Sequence, residues 1–224
     1  MIKIFDLDDT LYLERSFVES GFKAVAKFLE KEFDWSTHET FSEMLELLDR
    51  HGRGSIFDSL LYSKQKYSKK LIKDCVKTYR YHEPKIKIFD DTKDIISSSL
   101  YPQYIVTDGN KLVQKNKTSS LGIESYFKKI FYTHAYGIHN RKPSTYCFEK
   151  IKKIEKCAWN QMIYIGDNPN KDFVNLRPLG VSTVRVLTGE YSDYQVTSEY
   201  DADYTIPNLS KLPLILEEMA YEKE

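Results

Sequence analysis

This 224-residue chain carries no excess charge, since 33 Lys and Arg stand against 33 Asp and Glu. Without a basic surplus there is no field to hold a nucleic-acid backbone or an anionic membrane, and neither is expected as a partner. Cysteine is scarce. Cys75, Cys147 and Cys157 form no C-x-x-C pair and leave an odd thiol, which excludes a disulfide framework, suits a reducing compartment and makes the cytoplasm the expected location. The five histidines show no metal-ligand spacing, so no zinc or iron site is indicated. Among nine glycines there is no Gly-x-x-x-x-Gly-Lys loop, which argues against kinase-type use of a nucleoside triphosphate. Nothing in the chain is apolar for long enough to span a bilayer. The opening Met1-Ile2-Lys3-Ile4-Phe5 turns acidic at once, so no targeting segment is expected. What remains is an ordinary globular composition, 41% apolar and 29% charged, in a length suited to one large domain with an insert.

The apolar run Ile2 to Phe5 is too short for a helix and reads as a buried strand ending in the acidic turn Asp6-Leu7-Asp8-Asp9-Thr10. From Ser16 the period becomes helical, with Phe17, Val18, Gly21, Phe22, Val25, Phe28 and Leu29 on one face. Ser36-Thr37-His38-Glu39 has the form of a capping box opening a second helix that ends near Gly52. Two more helical stretches, Ser55 to Ser63 and Ser68 to Tyr81, lead to Pro84. Strands and helices then alternate. Strands are expected at Gln103–Thr107, Lys129–Thr133, Gln161–Ile165, Val181–Leu187 and Asp203–Ile206, with helices at Lys111–Leu121, Pro143–Ile154 and Asn170–Pro178 and from Leu212. Such alternation predicts a parallel sheet covered on both faces. The expected architecture is an α/β, Rossmann-like core at 1–13 and 85–224, interrupted by an all-helical segment at 14–84.

Ligands of open α/β sheets bind at the carboxyl ends of the strands. Here those ends are polar: Asp6 and Asp8 after the first strand, Thr107-Asp108-Gly109 after the second, Gly166-Asp167 after a later one with Asp172 five residues on, and Lys142 before Pro143. Each residue alone is more often a turn former, a cap or a solvated side chain. Together, as neighbours, the carboxylates would repel one another unless a cation lay among them, and an oxygen-only donor set selects a hard ion such as Mg²⁺. With Pro143 taken as the first residue of a helix, Lys142 stands at the positive end of the helix dipole, a position made favourable by a bound anion. Thr107 and the turn after it can present a hydroxyl and N–H groups to that anion, most simply a phosphate.

The motifs Phe5-Asp6-Leu7-Asp8-Asp9-Thr10-Leu11, Ile105-Val106-Thr107-Asp108-Gly109, Arg141-Lys142-Pro143 and Ile165-Gly166-Asp167 through Asp172 resemble, in order, the four motifs of the haloacid dehalogenase superfamily, phosphatase branch. Gln114, Lys117 and Leu121-Gly122-Ile123 resemble that family's helix after the second motif, and the stretch from Leu179-Gly180-Val181 to Val186 fits too. An insert directly after the first motif is similar to the family's helical cap, the first of its cap classes. The resemblance implies hydrolysis of a small phosphate monoester through an aspartyl-phosphate, with Asp6 as nucleophile and Asp8 as general acid and then base. It implies that Thr107 and Lys142 grip the phosphoryl group and that Asp108 contributes its backbone N–H. It implies Mg²⁺ on the Asp6 carboxylate, the Asp8 carbonyl and the Asp167 carboxylate, with Asp172 orienting Lys142 or the metal waters. Dehalogenases of the superfamily lack the second Asp of the first motif, and Asp8 is present. A sugar-phosphate mutase shares these motifs, and a catalytically silent binding protein of the same fold is the remaining alternative. In the insert, Arg15, Arg53, Tyr62 and Lys64 are candidates to meet the leaving group, against the blander reading that they are a solvated helix face. A small phosphorylated metabolite is the expected partner, and the residues set no oligomeric state.

Overall fold

The computed structural model describes residues 1–99 and 101–221. The chain divides into two compact units, one of residues 1–14 and 87–224 and the other of residues 15–86. Leu100 and residues 222–224 of the expected 85–224 segment lie outside the described residues.

The first unit is built on six parallel strands: β1 (Ile2–Phe5), β2 (Gln103–Thr107), β3 (Lys129–Tyr132), β4 (Met162–Gly166), β5 (Ser182–Val186) and β6 (Tyr204–Ile206). Their order is β3-β2-β1-β4-β5-β6, a Rossmann-like arrangement with β1 at the point where the order reverses. The register sets Phe5 against Ile105 on one side and Ile165 on the other. Strands buried on both faces read as continuous apolar runs, and β2 and β4 are buried throughout. A core of Ile4, Tyr104, Val106, Phe131, Phe148, Ile151, Tyr164 and Phe173 packs against one face. The β1-to-β2 connection leaves through the second unit. Its helices are α1 (Glu14–Phe33), whose first residue still belongs to the first unit, α2 (Thr37–His51), α3 (Ile56–Ser63) and α4 (Lys69–Tyr81). The apolar face expected of α1 is buried at Val18, Phe22, Val25 and Leu29 against Met44, Leu60, Leu61 and Cys75. Ser36 caps α2 by accepting from the Glu39 N–H at 3.3 Å, and Ser68 caps α4 by accepting from Leu71. Among the described residues, no helix is long and apolar enough to cross a membrane.

The first unit also holds α5 (Thr92–Ser97), α6 (Lys111–Ser120), α7 (Tyr146–Glu155) and α8 (Leu212–Tyr221). Two expectations fail here. The helix expected from Pro143 begins at Tyr146, because Lys142 and Pro143 form a turn before it: the Ser144 N–H reaches the Arg141 carbonyl, outside the helical ladder. No α-helix forms over residues 170–178. Asp172 turns its side chain back to the Asn168 N–H, Pro169 and Pro178 each lack a donor, and only a single 3₁₀ turn closes at Arg177–Leu179. The six-residue α5 has no counterpart among the expected elements.

Candidate active site

β1 and β4 run side by side, and the ladder extends one residue further, the Asp6 N–H donating to the Ile165 carbonyl at 2.8 Å. Asp6 therefore leaves the sheet beside Gly166-Asp167, only 3% exposed. The carboxylates of Asp6, Asp167 and Asp172 each place an oxygen within 4.8 Å of the others. Lys142, 3% exposed, reaches into this group, its Nζ 2.9 Å from Asp6 Oδ2 and 2.7 Å from Asp172 Oδ1. It also donates to the Tyr164 hydroxyl at 2.8 Å, which donates in turn to Asp172 Oδ1 at 3.1 Å. The Thr10 hydroxyl donates to Asp167 at 3.4 Å. Lys142 is thus held by two carboxylates and a phenol; with α7 beginning at Tyr146, the helix-dipole argument made from Pro143 does not apply to it.

The balance of charge in this corner favours a cation. Burial, reinforced by Asp172 and opposed by Lys142, pushes Asp6 up to about 6. Burial first, then Asp172 and Asp6, hold Asp167 well above the ordinary carboxylate range. Lys142 moves the other way: burial alone would lower it, but Asp172 and Asp6 raise it well above the usual lysine value, so it stays charged. Lys142 in contact, with Lys171 acting from further off, still leaves the three buried carboxylates in excess. The all-oxygen donor set of Asp6, Asp167 and Asp172 fits a hard divalent ion.

Asp8 takes no part in that cluster through its side chain. Tyr12 donates to its Oδ1 at 2.5 Å, Lys117 to the same oxygen at 2.7 Å, and Gln114 to Oδ2 at 2.8 Å. Burial alone would raise Asp8, yet Lys117 and these hydrogen bonds outweigh it and hold the carboxyl below its ordinary value. Lys117 also pairs with Glu14 at 3.3 Å. Thr107 ends β2 fully buried, its Oγ1 accepting from the same Gln114 amide at 2.7 Å. Asp108 is turned away, its Oδ1 accepting from the Thr133 hydroxyl at 2.6 Å and from the Lys142 N–H at 3.0 Å, so its carboxylate braces the lysine's loop.

The structure thus joins Asp6, Asp167, Asp172 and Lys142 directly, and joins Asp8 to Thr107 through Gln114. Tyr12 and Tyr164 complete these contacts without having been singled out. A tyrosine in an apolar run looks like core, and nothing local signals that its hydroxyl meets a carboxylate.

The family profile of haloacid dehalogenase-like hydrolases matches residues 3–186. The chain belongs to this family. Sequence relatives of the haloacid dehalogenase-like hydrolase include the glyceraldehyde 3-phosphate phosphatase of Methanocaldococcus jannaschii, 30% identical over 95% of this chain and 96% of its own. The enzyme of that name from Pyrococcus furiosus is 27% identical over 95% of this chain and 91% of its own. Among solved structures, the HAD-hydrolase YfnB of Bacillus subtilis, bound to magnesium, superposes with a TM-score of 0.67 at 19% identity, covering 96% of this chain and 97% of its own. The expected class, a phosphoric monoester hydrolase of this superfamily on a Rossmann-like core, agrees with these relatives.

Proposed function

We propose that this hydrolase cleaves a small phosphate monoester in two steps through Asp6, with Mg²⁺ as cofactor. The observation that carries the reading is the Asp6–Lys142–Asp172 arrangement at the carboxyl edge of β1 and β4, a buried carboxylate fixed at 2.9 Å from a buried ammonium. In the first step an Asp6 oxygen bonds to phosphorus as the ester P–O bond breaks. The electron pair stays with the leaving oxygen, which takes a proton from Asp8; at rest Asp8 is a carboxylate, and the negative charge of the bound phosphate raises it so that it takes up that proton. In the second step Asp8, now a carboxylate, takes a proton from water as the water oxygen bonds to phosphorus and the Asp6–phosphorus bond breaks. Lys142 and Thr107 face the phosphoryl oxygens, and Asp108 serves by its backbone and by bracing Lys142. Asp172 keeps Lys142 aimed at Asp6. Asp6, Asp167 and the Asp8 carbonyl would hold the ion, which supplies positive charge against the phosphoryl oxygens when bound.

The relatives point to three-carbon sugar phosphates as the first substrates to test. Phosphate release from glyceraldehyde 3-phosphate and a wider panel of monoesters is expected to require Mg²⁺, to stop on chelation and to fall by about 10³-fold or more in Asp6→Asn, the scale of a lost nucleophile. Release that survives Asp6→Asn unchanged would sink the reading. The 14–84 segment is read as the family's cap. The cytoplasm is the proposed compartment, on the strength of the unpaired cysteines.

A further inference from the structure

Gln114 is a neutral, helix-borne side chain only 2% exposed, and the site chemistry above gives it no role. Its amide nitrogen is 2.8 Å from Asp8 Oδ2 and 2.7 Å from Thr107 Oγ1. A carboxylate only accepts, so the Asp8 contact fixes which end of the amide is nitrogen, and the two hydrogens on that nitrogen go one to each partner. Thr107 Oγ1 is then an acceptor from Gln114, which leaves its own hydroxyl proton directed elsewhere. The seat is built for this side chain. Gly109 turns with φ at +128°, and a Cβ there would come within 3.2 Å of Gln114 Cγ and Cδ. Lys117, one turn along α6, fixes the other Asp8 oxygen at 2.7 Å.

We propose that Gln114 is a positioning residue that aligns two groups at once, the Asp8 carboxyl with the leaving oxygen and the Thr107 hydroxyl, as a donor, with a phosphoryl oxygen. The proposal rests on the reading of Asp8 as acid and base. One rigid amide spans two strand ends, and so couples protonation of the leaving group to the grip on the group transferred.

The test compares kcat/KM on two esters with Mg²⁺ saturating: 2,4-dinitrophenyl phosphate, whose leaving group needs no proton, and glyceraldehyde 3-phosphate, whose alkoxide does. Because kcat/KM covers only steps through departure of the leaving group, it reads the first half-reaction alone. Thr107→Val is expected to lose a similar factor on both. Asp8→Asn should lose far more on the alkyl ester, by about 10²-fold or more relative to the aryl ester, the usual scale of a positioned acid. Gln114→Met is expected to lose on both and, in addition, about 10-fold more on the alkyl ester, since a misplaced acid loses part of that factor. Equal losses on the two esters, as a merely structural residue would give, or no loss at all, overturn the proposal. Gln114→Leu removes both donors without adding a charge beside Asp8, and reads the same ratio if the methionine variant does not fold. If instead Asp8→Asn shows no discrimination between the esters, the acid–base reading itself fails, an outcome distinct from failure at Gln114.

Discussion

At position 166 a side chain as small as a methyl group would meet Asp172 Oδ2 at 2.6 Å and its Cγ at 3.0 Å. The glycine that ends β4 is what lets the Asp172 carboxylate lie against the backbone and face Lys142. Gly166→Ala should push that carboxylate aside and leave Lys142 without one of its two anions. The expected result is a fall in kcat of about 10²-fold, as for a displacement near 1 Å, with an unchanged far-ultraviolet circular dichroism spectrum. Asp6, Asp8, Thr107 and Asp167 could be picked out because they follow apolar runs at strand ends, and Lys142 because it stands before Pro143; what singles them out is that they fall together in one order. Tyr164 and Tyr12 could not be, for their rings belong to the core and only their hydroxyls reach the carboxylates. Lys142 stands beside Asp6, but two carboxylates hold it there, and no helix end does.

Helices with a broad apolar face, such as α1, or with a serine capping the first turn, such as α2 and α4, announced themselves. Short elements did not. α5 buries only Thr92 and Ile96, too few positions to establish a period. In the segment after Asp167, hydrogen bonds local to Asp172 compete with a helical ladder and win. The end of α4 carries a pH response. His82 Nδ1 lies 2.6 Å from the Tyr79 carbonyl, so it carries the proton, and Nε2 accepts from Ser20 at 3.1 Å. The Ser20 oxygen also accepts the Lys85 N–H at 2.8 Å. Burial lowers the histidine below its ordinary value, with the Tyr79 carbonyl opposing in part. A folded-state value depressed in this way favours the neutral ring. The stability it contributes is present above the unfolded value near 6.5 and is lost as pH falls through the folded one. Thermal melts followed by circular dichroism should therefore show His82→Gln gaining on the wild type as pH falls below about 6.5, on top of the opposite slope that the raised Asp6 and Asp167 carboxyls give both proteins. An identical slope in the variant would assign the response to other groups.

On the scale of the whole molecule, the buried carboxylates make the protein's stability depend on what binds there. A ligand that binds only the folded state adds about 2.7 kcal/mol when present at a hundred times its dissociation constant. Mg²⁺ is expected to raise the midpoint of thermal unfolding relative to a chelator. Asp167→Asn should remove that response and, without the ion, melt at or above the wild-type temperature, since the burial of its carboxyl and the repulsion from Asp172 and Asp6 that raise Asp167 are relieved. A wild-type melt indifferent to Mg²⁺ would count against the ion. The strand order was legible only in outline: alternation of strands and helices predicts a parallel sheet, while the placing of β1 between β2 and β4 depends on packing that no local pattern records.

That placing also governs the order in which the chain can be completed. Phe5 finds its backbone partners at Ile105 and Ile165, so β1, made before both of its neighbours, waits for β4 before it is paired on either side. A nascent chain stalled before β4 would hold Asp6 and Asp8 without Asp167 and Asp172, and the carboxylate cluster would assemble only once the last of them had emerged.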